Sequence, residues 1–90
     1  MHEVLATLLE DTSRQIHLLD SAIREENSEI CKRLAHYSKG ACASVGANAA
    51  AAVLLRMEHE AGNREFDRCA TSLAALDTEL ARLRIEVDSL

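Results

Sequence analysis

The segment CATSLAALDTELARLRIEVDSL, residues 69–90, decides the fold. Its apolar residues Cys69, Leu73, Leu76, Leu80, Leu83, Val87 and Leu90 recur in steps of three or four, the seam of an amphipathic helix. Such a seam closes either on a second copy, as a coiled coil, or on other helices of the same chain. The N-terminal stretch favours the second solution. From Val4 to Ile23 the apolar residues Leu5, Leu9, Ile16, Leu19 and Ile23, with Thr12 in step, describe a helix of matching length. At 1.5 Å per residue, both segments span about 30–33 Å and can lie side by side. With two shorter helices between them, the expectation is an all-α fold: an antiparallel up-down-up-down four-helix bundle, one domain over residues 1–90.

The boundaries between helices are marked by polar residues and glycine. Glu25-Glu26-Asn27 ends the first helix, and Asn27 can accept hydrogen bonds from the first free amides of the next. The second helix is expected over Ser28 to Val45, with Ile30, Leu34, Ala41 and Val45 inward, stopping at Gly46. Asn48 restarts the chain. A third helix, about 49 to 61, should bury Ala50, Val53, Leu54 and Met57 and be closed by Gly62, with Asn63 capping the fourth. Glu10 with Arg14 and Glu29 with Arg33 stand at the spacing of intrahelical ion pairs.

Composition narrows the class further. Aromatic residues make up 2% of the chain and proline is absent, while 48% is hydrophobic, which suits aliphatic helices and not a turn-rich β fold. Ninety residues hold one small core and no multidomain enzyme. A net charge of −5 argues against nucleic acid or an anionic membrane as partner. The longest apolar run, Ala49 to Leu55, is shorter than the ~20 residues of a membrane span, and no signal-peptide pattern opens the chain. Cys31, Cys42 and Cys69 form no C-x-x-C pair and read as buried thiols in a reducing, cytoplasmic setting. No His or Cys pair stands at i, i+4, so no metal site is expected. His2, His17 and His59 read as solvated surface.

The second helix carries the candidate site. With about 100° per residue, His36 falls opposite the apolar stripe, among Glu29, Lys32, Arg33, Lys39, Gly40 and Ala43. Gly40 costs about 1 kcal/mol in a helix relative to alanine, and no cap requires it there. One turn beyond His36, it removes the side chain that would obstruct a visiting protein. Lys39 can bring an ammonium to a phosphoryl oxygen. Imidazole, with a reference pKa of about 6.5, is mostly neutral at pH 7 and has a free nitrogen with which to attack phosphorus.

The run Leu34-Ala35-His36-Tyr37-Ser38-Lys39-Gly40, followed by Gly46-Ala47, resembles the signature of histidine-containing phosphotransfer (HPt) domains of bacterial multistep phosphorelays. Asn27 stands where that family caps its histidine helix, and Met57-Glu58 looks like the hydrophobic-acidic pair that ends its third helix. The resemblance implies a cytoplasmic carrier in which Nε2 of His36 accepts a phosphoryl group from a receiver-domain aspartate and passes it to another receiver. His36, Lys39 and Gly40 take the places of the family's histidine, lysine and glycine. Two departures concern the core: Ser38 and Ala50 stand where the family commonly has leucine. Ser38 is expected to bond back to the Leu34 carbonyl, and the third helix to pack closely through its alanines.

The expected partners are response-regulator receiver domains and a hybrid or sensor histidine kinase. The chain itself is expected to be monomeric and without an intrinsic cofactor, the Mg²⁺ being held by the receiver. Lys32, Arg33 and Lys39 form a basic island suited to such a carboxylate-rich partner, with Gly40 and Ala43 giving clearance. Leu8 and Leu18 on the first helix are candidates to extend the docking patch. None of Gly40, Gly46 and Gly62 forms a phosphate-cradling loop, so a carrier is expected and not a kinase. Met1 favours a stand-alone protein over an excised module. The competing reading is a non-catalytic interaction or dimerisation module built on the C-terminal seam.

Overall fold

Helix punctuation sets the topology. The computed structural model describes residues 2–88, and side-chain surroundings over 10–85. Its elements are α1 (His2–Arg24), α2 (Ser28–Ser44), α3 (Asn48–Gly62) and α4 (Phe66–Asp88), with no strand among the described residues. The connectors 25–27, 45–47 and 63–65 are too short for anything but reversal, so consecutive helices run antiparallel. Each helix packs on its neighbour in sequence, and α4 returns to lie against α1. The result is an up-down-up-down bundle measuring 39 × 18 × 17 Å.

All three reversals use one device. After α2, the Gly46 amide donates to the Ala43 carbonyl at 3.1 Å and the Ala47 amide to Cys42 at 2.9 Å, with Gly46 in the left-handed region at φ 78°. The same double bond pattern closes α1 and α3, where Glu26 (φ 54°) and Arg64 (φ 59°) take the left-handed position. This corrects the expected end of α3. Gly62 is its last helical residue and Asn63 its C-cap, not the cap of α4, whose first amide bond runs from Cys69 to the Glu65 carbonyl at 3.0 Å. Arg64 is held there by its own side chain, which lies 5.3 Å from the Phe66 ring centre and donates to the Glu26 carbonyl at 3.5 Å. Asn48 likewise opens α3 as a helical residue, with Ala47 at the cap position and no side-chain cap bond. Asn27 caps α2 as expected, accepting from the Ile30 amide at 3.2 Å.

The core is aliphatic and sulfur-rich. Leu19, Leu54, Met57 and Leu76 are fully buried with Cys31, Cys42 and Cys69, while Ile16, Val53, Leu73 and Leu83 pack around them. Ala50 and Ala61 are buried on α3, consistent with close packing through small residues. The α4 seam is spent inside the molecule through Cys69, Leu76 and Leu80; Val87 and Leu90 lie outside the described side chains. Burial pushes the Cys31 and Cys42 thiols up, and that of Cys69 up to about 12, where Cys31 and the carboxylates of Glu60 and Glu65 add to the effect. Helices α2 and α4 lie diagonally, with no pair of Cα atoms within 8 Å, whereas a disulfide needs less than about 7 Å. Cys31 and Cys69 therefore remain thiols.

Helix α2 is rotated from its expected setting by about one residue. Its buried positions are Cys31, Ala35, Ser38 and Cys42; Leu34, Ala41 and Val45 are half-buried, and Ile30 is exposed. The inward direction is set by the wedge between α1 and α3, where small residues let the backbone approach. The bulkier aliphatics fall to the flank. Ser38 does not bond back to Leu34: its hydroxyl is buried without a hydrogen-bond partner, because Cys31, Ala35 and Cys42 on the same face offer it no side-chain oxygen. Arg14 pairs with Asp11 at 3.4 Å, not with Glu10, the i, i+3 carboxylate being on the same face as the i, i+4 one; Glu29 and Arg33 pair at 3.0 Å as expected. No helix among the described residues is long and apolar enough to cross a membrane.

An unpartnered buried hydroxyl costs about 1–3 kcal/mol. Ser38→Ala should therefore raise the urea midpoint, by about 1 kcal/mol in unfolding free energy once the lost packing is allowed for. A lowered midpoint would mean that the hydroxyl has a partner in solution.

Candidate functional site

Burial of the small-residue face of α2 turns the opposite face to solvent. Along it stand Glu29, Lys32, Arg33, His36, Gly40 and Ala43, all exposed, with Lys39 at the edge that meets α3. His36 lies mid-helix with its side chain 68% exposed. His17 and His59 are also exposed, but neither side chain makes a hydrogen bond or ion pair among the described residues.

What distinguishes His36 is a residue on the next helix. The antiparallel α2–α3 pairing places the Glu58 carboxylate against both His36 and Lys39. Glu58 Oε2 lies 3.2 Å from His36 Nδ1, and Lys39 Nζ donates to Oε1 at 2.9 Å. The Glu58 side chain is 18% exposed and that of Lys39 26%, so this pair is half-sheltered while the imidazole stands above it. The hydrogen bond from Lys39 holds the Glu58 carboxyl below the usual carboxylate range; partial burial opposes this, and His36 adds to it. An ionised carboxylate only accepts hydrogen bonds. The Nδ1 atom facing it must carry the proton, and Nε2 is left as the unprotonated, lone-pair nitrogen of the neutral ring. Which nitrogen faces the carboxylate and which faces solvent is thus dictated by α3.

The surroundings leave Nε2 accessible. A Cβ built on Gly40 would meet no atom within 4 Å, so the glycine is not required by packing inside the bundle. Of the three cations on this face, Arg33 is tied to Glu29 and Lys39 to Glu58; Lys32 makes no ion pair or hydrogen bond among the described residues. On the flank toward α1, Tyr37 is 58% exposed and Ile30 47%, and Leu18 of α1 is 51% exposed. The side chain of Leu8 lies outside the described residues.

Sequence reasoning assembled His36, Lys32, Arg33, Lys39, Gly40 and Ala43 on one surface and missed Glu58 as a member of it. The signal was available in the register. With a short α2–α3 reversal, His36 and Glu58 lie at similar separations from the turn, and Glu58 follows the core residue Met57. Apolar positions named without reference to a site, Ile30 and Tyr37, are exposed beside it.

A four-helix bundle that presents a solvent-exposed imidazole bonded to a carboxylate of the next helix, flanked by a cation and an uncrowded glycine, defines a class of surface-acting helical modules. The Hpt domain family matches residues 3–86, and the chain belongs to that family. Its fold is also that of a rice protein solved by X-ray crystallography and described as a histidine-containing phosphotransfer protein. The two share 22% sequence identity and a TM-score of 0.92, over 98% of this chain and 64% of the rice chain. This chain thus spans somewhat less than two thirds of the rice protein's length. No curated protein sequence matches it significantly.

The depressed Glu58 carboxyl makes stability depend on pH. A carboxyl whose folded pKa lies below its unfolded value of 4.5 contributes stability that is fully present above that value and is lost as pH falls through the folded pKa. In urea titrations, wild type should exceed Glu58→Gln in stability at neutral pH, and the gap should narrow as pH drops below 4.5. A gap independent of pH would show that the Lys39 contact does not persist in solution.

Proposed function

We propose that this chain is a phosphocarrier in a phosphorelay, with His36 as the phosphoryl acceptor. The Nε2 lone pair attacks the phosphorus of a receiver's aspartyl phosphate in line. The N–P bond forms as the P–O bond to the aspartate breaks, and the bonding pair leaves on the carboxylate. The reverse sequence, with a second receiver's aspartate as nucleophile, passes the group on. The observation that carries this reading is the exposed His36 ring with Nδ1 turned to Glu58 and Nε2 unhindered.

The transfer needs positioning and charge stabilisation more than it needs a pocket. The bundle supplies a stiff mount for the ring, and Lys39 supplies a cation within one turn of it. The Mg²⁺ and the acidic residues that hold it belong to the receiver partner. Lys32 and Arg33 suit such a carboxylate-rich surface, and Gly40 and Ala43 let it approach. The described glycines lie within helices or at a helix-ending turn, so nothing in them supports a nucleotide-cradling loop. Dimerisation through α4 is the weaker reading, since Cys69, Leu76 and Leu80 are already buried within the bundle.

A receiver domain carrying labelled aspartyl phosphate should transfer acid-labile label to wild type and none to His36→Gln. Equal labelling of that variant would refute the assignment. Lys39→Ala should leave the fold intact and slow transfer about tenfold, the equivalent of about 1.4 kcal/mol of transition-state stabilisation. Gly40→Leu should stabilise the helix by up to about 1 kcal/mol, because the new Cβ meets nothing, and should nonetheless slow transfer by blocking the partner. Undiminished transfer would remove the clearance argument.

A further inference from the structure

We infer that Lys32 is the cation that holds the phosphoryl group once it has reached His36, so that phosphorylation gives α2 an ion pair which the unphosphorylated chain lacks. The inference rests on the phosphocarrier reading and adds to it a residue that acts on the equilibrium of transfer and not only on the encounter with a partner. Lys32 thereby sets how firmly the chain retains the group it carries.

The spacing along α2 leaves Lys32 exposed and without a partner. On a helix surface its neighbours stand three and four positions away: Ser28 and Glu29 before it, Ala35 and His36 after it. Glu29 is engaged by Arg33 at 3.0 Å, Ala35 is buried, and the Ser28 hydroxyl donates to the Ala61 carbonyl. Glu25 and Glu26 line a recess at the end of the bundle together with Lys32, yet neither pairs with it among the described residues. His36 is the remaining neighbour, and a neutral ring offers an ammonium no counter-charge. A phosphoryl group on that ring, with its negative charge and its acceptor oxygens, supplies the missing anion four residues along the helix.

The direction of the ring brings the group toward this lysine. Helical side chains lean toward the N-terminus of their helix, so the imidazole of His36 lies over the turn that carries Lys32. The contact with Glu58 fits that lean. Gly46, at the α2–α3 reversal, comes 10 residues after His36 and 12 before Glu58, which sets the carboxylate on the N-terminal side of His36 across the antiparallel pair. The other two cations of this face are less free to respond. Lys39 Nζ lies 2.9 Å from Glu58, and its departure would strand a carboxylate whose side chain is only 18% exposed. Arg33 would have to give up Glu29. Of the three, Lys32 alone can reach the phosphoryl oxygens without breaking a contact.

The equilibrium constant separates this contact from docking. A residue that only steadies the encounter with a receiver speeds transfer in both directions and cancels from the distribution of phosphoryl groups between the two free proteins. One that touches the phosphohistidine of the free chain shifts that distribution toward the chain. The test measures forward and reverse transfer between a labelled receiver domain and wild type, Lys32→Gln, Lys32→Arg, Lys39→Ala and the double variant Glu29→Gln/Arg33→Gln, each confirmed folded by thermal melting. Lys32→Gln should move the equilibrium about threefold toward the receiver at low ionic strength, and the shift should fade at about 1 M salt, where screening acts within about 3 Å. Lys32→Arg, which keeps the charge, and the double variant, which removes a neighbouring ion pair without changing net charge, should both stay close to wild type. Forward and reverse rates slowed equally in Lys32→Gln, at an unchanged equilibrium, would overturn the inference and leave Lys32 a docking residue. A shift in Lys39→Ala without one in Lys32→Gln would overturn it in favour of Lys39, and a shift in the double variant equal to that of Lys32→Gln would overturn it by showing no dependence on this lysine in particular. Failure of wild type to accept label, or full labelling of His36→Gln, would instead overturn the phosphocarrier reading.

Discussion

The narrow inward face of α2 is the constraint on which the rest depends. Cys31, Ala35, Ser38 and Cys42 are small enough to let the helix enter the angle between α1 and α3, and their burial fixes its rotation. Once that rotation is fixed, His36 has no choice of environment: it lies across the helix from the buried row, with Lys32 one turn before it and Gly40 one turn after. A larger side chain in the row would push α2 outward or turn it, and either movement would separate His36 from Glu58, which is tied to the ring by a contact of 3.2 Å. The packing of the interior and the orientation of the exposed imidazole are one problem.

Electrostatics at the site are arranged by difference and not by abundance. The chain carries a net charge of −5, yet the surface around His36 has cations Lys32, Arg33 and Lys39 against carboxylates Glu29 and Glu58, a local balance of 3 − 2 = +1. Two of those cations are already satisfied by the two carboxylates. The uncommitted charge is that of Lys32. A free, strongly basic patch would bind any polyanion. A patch whose charges are mostly paired answers only a partner able to compete for them, which suits the transient docking proposed for it.

Much of this was legible in the sequence, and the failures have a common origin. Helix number, order and approximate ends follow from apolar periodicity and from Asn27 and Gly46, whose chemistry suits a cap and a left-handed turn. The outward placement of His36 also follows, because it lies opposite the apolar residues under either setting of α2. The rotation of α2 itself did not, since large aliphatics were weighted above cysteine, alanine and serine, and the helix is positioned by close approach. Placing Gly62 just past the end of α3 and Asn63 at the cap of α4 failed for a related reason: Arg64 occupies the left-handed position, its side chain reaching Phe66 and Glu26, contacts that no single-helix pattern contains. Glu58 was invisible to the same approach, being defined by the register of two helices and by nothing within its own.

Two residues of α2 show local stability yielding to something else, and they do so differently. Gly40 lowers helix propensity at an exposed position where a side chain would meet nothing, so no internal contact explains it, which is consistent with the clearance proposed for a partner. Ser38 places an unpaired hydroxyl in the interior, at the centre of the row that sets the helix rotation. Serine there is close in volume to the alanine and cysteines beside it, so it preserves the close approach of the helix, which a leucine would not. The polar penalty is tolerable because the site depends on where α2 lies more than on how tightly it is held. That ordering also fits the partial exposure of the Lys39–Glu58 pair: a fully buried pair would stabilise the bundle no better, given the desolvation it would incur, and would draw the Lys39 ammonium away from the solvent face on which His36 stands.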